Sequence, residues 1–277
     1  MSYGPKPWLQ TNWDIRAALN FICGGIGSGL LVVTALFSGH PQAPLFPLAL
    51  GIALIGAGLF SVWLEIGRPL RAINVYRNAR TSWMTREALL ALAVFALAAA
   101  VAAGAQSAAP LLALAALLFV YAQGRMLRAA KGVPAWRDPM LPTLIVTTAL
   151  AEGGGLFLVV ESLHAGITVL AIAFAGFAAL SRFLAWILYR RQVATALAPA
   201  ATAAFAHVQM TLGPKGTGAV LALYCLALLF TDARAPLALI GGIIAVAAGS
   251  GFKLVLITRA AHNQGFSLPH LPVRGRR

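Results

Sequence analysis

Eight stretches of this chain are apolar for about 20 residues each, and that property leaves few folds open. They fall at roughly 15–37, 45–66, 86–104, 109–128, 140–163, 166–190, 216–231 and 236–258. As α-helices rising 1.5 Å per residue, most reach across a hydrocarbon core of about 30 Å. They do not alternate apolar and polar positions as barrel strands do. With 60% of residues hydrophobic and 10% charged, the chain is too apolar for a soluble domain. The expected fold is all-α: a polytopic membrane protein, a bundle of eight transmembrane helices forming one integral domain over 1–277. Asp14 lies in the polar segment ahead of the first run, and a second span follows directly, so no cleavable signal is expected.

The net charge of +14 becomes a question of topology. Eight crossings place both termini on one side, and 20 of the 21 cationic residues fall there, with Arg234 alone opposite. By the positive-inside rule that side is the cytoplasm, and nucleic acid is not needed to explain the charge. The segment 193–212 is Ala-rich, holds Pro199 and carries His207 and Gln209. As a ninth span it would move Lys253, Arg259 and the terminal arginines outside and erase the asymmetry. It is therefore expected to lie in the interface or to be partly re-entrant.

Cys23 and Cys225 are too far apart for a cluster motif and are expected as buried packing residues, with no iron–sulfur site in this chain. The histidines flank outward loops or sit in the tail and offer no facing pair within the bundle, so no haem is expected. The glycines of CGGIGSG lie inside an apolar helix with no strand before them, which favours close helix packing, Gly25 with Gly29, over nucleotide binding. Gly153, Gly154 and Gly155 are expected to pack in the same way.

Ionisable groups within the hydrocarbon cost upward of about 2.5 kcal/mol and call for a partner, water or a function. Glu152 lies twelve residues into its run, near mid-bilayer, and suits proton transfer or a structural hydrogen bond. Arg182 and Lys253 lie closer to the cytoplasmic ends of their spans. Snorkelling explains Arg182 best, whereas Lys253 is also placed to reach a ligand, share in proton transfer or pair with an acid such as Glu65. All six tryptophans map to the cytoplasmic half, which an aromatic belt on both faces does not explain. Aromatic walls with Arg, Glu and Asn suit a pocket for a flat amphipathic ring, or a protein-docking surface.

The string GRPLRA at 67–72, TSWMTRE at 81–87 heading the next span, and VPAW at 133–136 with Pro139 and Pro142 carry a resemblance. They resemble membrane-anchor subunits of dimethyl-sulfoxide-reductase-type molybdopterin oxidoreductase complexes, in the wider NrfD/polysulfide-reductase superfamily. The tail KLVLITRAAHNQGF at 253–266 looks like the branch around phenylacetyl-CoA:acceptor oxidoreductases and sulfite dehydrogenases. The resemblance implies a haem-free, quinone-reactive anchor of the bacterial inner membrane with no catalytic residue of its own. Such a subunit binds quinone or menaquinone exchangeably and holds a ferredoxin-like iron–sulfur subunit and a molybdopterin catalytic subunit at the membrane.

Carried over by position, the quinone residues are Asn20, Glu65, Arg68, Arg71, Trp83 and Glu87, with His207 in reserve. Glu65 stands where some relatives have a histidine. Glu87 closes the loop block, and as an N-terminal acid it would also complement its helix dipole. Arg68 and Arg71 suit either a reduced quinone or acidic residues of the partner; Arg77, Arg80 and Trp136 are expected at the docking face. A solute or proton transporter and a purely structural anchor remain the competing readings. Clustered aspartates of the kind that handle polyprenyl diphosphates are missing, since Asp14, Asp138 and Asp232 are scattered.

Overall fold

A computed structural model describes residues 4, 6–37, 45–65, 74–76, 78–164 and 166–266. Among these, nine α-helices run in order: α1 (Ile15–Phe37), α2 (Leu45–Trp63), α3 (Trp83–Ala102), α4 (Ala109–Ala129), α5 (Leu141–His164), α6 (Val169–Val193), α7 (Pro199–Leu212), α8 (Pro214–Leu229) and α9 (Arg234–Thr258). Taking 199–229 as one unit, eight are long and apolar enough to cross a membrane. The all-α, eight-span expectation thus holds, with ends that shift by a few residues. Helix α3 starts at Trp83 because Ser82 is extended and its Oγ accepts the N–H of Thr85 at 3.3 Å, a side-chain N-cap.

The segment expected in the interface is helical over 199–212 and joins α8 through Gly213 alone, whose extended backbone breaks the helix ahead of Pro214. Phe205, Val208 and Leu212 face inward, and Phe205 meets the rings of Trp186 and Tyr189. No ninth crossing results. At fourteen residues, α7 is too short to span alone.

Helix α1 is the axis of the bundle, packed by α2, α4, α5 and α9. Its glycines make this possible. A β-carbon on Gly27 would lie 2.5 Å from the Gly51 carbonyl oxygen of α2, and one on Gly29 would lie 1.9 Å from the Ala149 oxygen of α5. Gly153 meets Gly29 in return, and Gly155 crosses α9 at Gly242, so the expected small-residue packing is realised at these sites. Gly25 differs, because the side chain of Lys253 fills the space in front of it. The cysteines depart from expectation too: Cys23 is half-buried, and Cys225 is on the outer surface, where a small apolar side chain is at home in lipid.

Gly153→Ala is expected to lower the unfolding temperature sharply in detergent, because its new methyl meets backbone rather than a side chain that can rotate away. Gly56→Ala, with nothing within 4 Å, is expected to hold or raise it. Equal effects of the two would contradict the helix crossing described.

The segments before α1 and after α9 meet at one end of the bundle. Leu9 bridges His262 in antiparallel fashion, Gln10 N–H donates to the Ala261 carbonyl at 3.0 Å, and Asn263 N–H donates to that of Trp8 at 3.0 Å. Both ends on one face is what an even number of crossings requires.

Candidate functional site

At the end where the termini meet, α1, α2, α3 and α4 enclose a cavity of about 270 Å³. Its walls include Trp13, Phe21, Val62, Met84 and Met126, and its polar groups are Asn12, Asn20, Glu65 and Glu87. The Trp13 ring lies 5.9 Å from that of Phe21 at 27°, giving the cavity a flat aromatic side.

Asn20 lies on the second turn of α1, and Glu87 lies four residues into α3, on the same face as Met84. Both are buried, at 3% and 4% exposure. The Asn20 Nδ2 donates to Glu87 Oε1 at 3.1 Å, and Gln123 Nε2 of α4 donates to the same oxygen at 3.0 Å. Gln123 Nε2 also reaches the Asn20 carbonyl at 3.2 Å, fitting into the space left by Gly24. Glu87 Oε2 takes no hydrogen bond from the described residues, and Asn20 Oδ1 has no partner. A buried amide oxygen without a donor carries a cost. Glu87 lies past the first turn of its helix and is bound to two other helices, so its position is set by those amides rather than by the helix dipole.

The structure thus brings together Asn20, Glu65 and Glu87 of the expected set, with Glu65 half-buried at the cavity edge. Trp83 does not line the cavity. Its ring is held between the guanidinium groups of Arg86 at 4.2 Å and Arg125 at 4.4 Å, with Tyr121 edge-on at 6.1 Å. Arg80 is exposed. Trp136 is not: it is 3% exposed, stacks 5.0 Å from Trp13 and donates from Nε1 to the Leu256 carbonyl at 3.0 Å, so it braces the core instead of docking. Arg68, Arg71 and Arg77 lie outside the described residues. His207 is exposed on α7 and does not line the cavity. Gln123 was missing from the sequence reading, although a lone amide within an apolar run was its available signal.

A second polar cluster stands on the other side of α1. Lys253 of α9 forms a fully buried ion pair with Glu152 of α5, not with Glu65. Arg182 does not snorkel; it too is fully buried, its Nη1 donates to the Ala245 carbonyl at 3.0 Å, and it interacts electrostatically with Glu152. Gly25 and Gly249 provide the room, since a β-carbon at either would overlap the Lys253 ammonium or the Glu152 carboxylate. Lys253 thus pairs directly with the carboxylate, while Arg182 lies beyond ion-pair distance as a second buried cation that feels its charge.

Fold and sites together define a class: a multi-pass α-helical membrane protein with a buried carboxylate–amide cavity at one end and a charged cluster at its centre. No protein-family model matches the chain, and comparison with curated proteins gave no match.

Proposed function

We propose that this chain is a quinone-reactive anchor subunit and that the cavity at Asn20, Glu87 and Gln123 takes the quinone head group. The observation that carries this reading is the buried network of Asn20, Gln123 and the Glu87 carboxylate at the wall of an apolar, aromatic-sided cavity. Such a site fits a flat ring whose edge carries groups that donate when reduced and accept when oxidised.

A quinone bound there supplies two-electron, two-proton chemistry. The chain's own part is to orient the ring and handle the protons. Asn20 Oδ1 accepts from a ring hydroxyl, Glu87 takes or returns a proton at Oε2, and Glu65 at the cavity edge passes it to water. Trp13 and Phe21 hold the ring plane and, with Met84 and Met126, keep bulk water out. Electrons leave or arrive through a docked ferredoxin-like iron–sulfur subunit and its molybdopterin partner, with Arg80 on the docking face and Trp83 clamped beside it. The basic face points to the cytoplasm of a bacterial inner membrane.

Purification of the chain in mild detergent, followed by solvent extraction, is expected to recover quinone in stoichiometric amount, and Asn20→Leu is expected to lose most of it. Recovery of none from the unaltered chain would overturn the reading.

The Glu152–Lys253–Arg182 cluster favours a second reading, a transporter of protons or a solute, because such groups sit where transporters bind their cargo. Proton flux through liposomes holding this chain alone would favour it over the anchor.

A further inference from the structure

Helices α2 and α3 follow one another in sequence yet scarcely touch, since α2 packs on α1 and α3 on α4. The space between them is a second cavity of about 360 Å³, and Asn20 and Glu87 line it as well as the first. The carboxylate and amide therefore stand at the junction of two spaces. One leads past Glu65 toward the polar end of the bundle. The other follows α3 from Met84 to Phe95, about 16 Å of helix rise, into the depth of the membrane.

Beyond Glu87 this second space has only apolar walls among the described residues: Ala88, Leu92 and Phe95 on one side, and Leu59 on the other. Leu92 is 52% exposed on the outside of the bundle, so the space is a groove whose outer lip faces lipid. We propose that this groove is a lateral portal between α2 and α3 that holds the isoprenoid tail of a quinone whose ring lies at Asn20 and Glu87. The proposal rests on the quinone reading above and adds how the molecule enters and where its tail lies.

Charge selects the occupant. A phospholipid acyl chain would fit the apolar walls, but its phosphate would then lie against Glu87, and no cation lines the groove among the described residues. An uncharged ring on a hydrocarbon tail meets no such conflict. The small side chain of Ala88, one residue past the carboxylate, leaves the passage open.

The test uses the full chain in lipid nanodiscs of one fixed composition, with binding followed by quenching of tryptophan fluorescence, since Trp13 lines the ring cavity. The probes are menadione, a naphthoquinone ring without a tail, and menaquinone-4, the same ring with one. Ala88→Phe is expected to weaken menaquinone-4 by about tenfold or more, the effect of excluding a few methylene groups from an apolar groove, and to leave menadione unchanged. Ala88→Leu serves as the milder block should the larger ring prevent folding, with unfolding temperature as the check.

Equal weakening of both probes, or of neither, would overturn the portal while leaving the ring site standing. Binding of menaquinone-4 displaced by added phospholipid would do the same and assign the groove to lipid. Failure of both probes to bind the unaltered chain would remove the quinone reading and the portal with it.

Discussion

Glu152→Gln should destabilise this protein by about 3–5 kcal/mol, whereas Lys253→Met should cost far less. The difference follows from the charge count in the central cluster. Glu152, Arg182 and Lys253 are all fully buried, and the guanidinium cannot shed its proton as an ammonium can. Removing the carboxylate leaves two cations facing each other without a counter-charge. Removing Lys253 leaves Glu152 with Arg182 as a longer-range counter-charge, and the methionine fills the volume beside Gly25. Denaturant unfolding in micelles, run as a cycle with the Glu152→Gln/Lys253→Met double variant, measures both costs and their coupling. Equal costs for the two single changes would show that Arg182 does not support the carboxylate.

Glu87→Gln should lower quinol-coupled turnover of the assembled complex by about 10²–10⁴-fold, the range for losing a positioned proton acceptor, with little change in stability. A glutamine oxygen still accepts from Asn20 Nδ2 and Gln123 Nε2, so the network that holds α1, α3 and α4 together survives. What is lost is the ability to carry a proton. Glu65→Gln should have a smaller effect, because a half-buried group at the cavity edge can be replaced by water. Unchanged turnover for Glu87→Gln in membranes where assembly has been verified would remove the carboxylate from the chemistry.

The eight spans were legible because length and apolarity are properties of a segment alone. So was the placing of Asn20, Glu65 and Glu87 near one end, since position along a helix fixes depth. Direction around the helix axis was not legible, and most of the corrections come from it. Arg182 and Lys253 lay near enough to helix ends to reach water, but their side chains point inward, Lys253 to an acid of α5 and Arg182 to a backbone carbonyl of α9. Trp83 and Trp136 belong to the expected end of the bundle, yet one is clamped between arginines and the other is packed in the core. Gln123 gave only a faint signal, because one amide in an apolar run has no meaning until its neighbours are known. The segment at 193–212 was difficult for a related reason: its composition permits a helix, and only Gly213 and Pro214 decide where that helix breaks.

The central place of α1 has a consequence for biogenesis. This helix is synthesised before the eight that follow it, yet its glycine face is not fully covered until α5 arrives against Gly29 and α9 brings Lys253 to Gly25. The N-terminal segment waits longer still, since Trp8 hydrogen-bonds to Asn263, 255 residues later. A translating chain truncated before α9 would hold in the bilayer a first helix still open on one side and a carboxylate with no lysine. Such an intermediate is a natural substrate for membrane quality control, and the arrival of α9 and the segment up to Asn263 closes the bundle around α1.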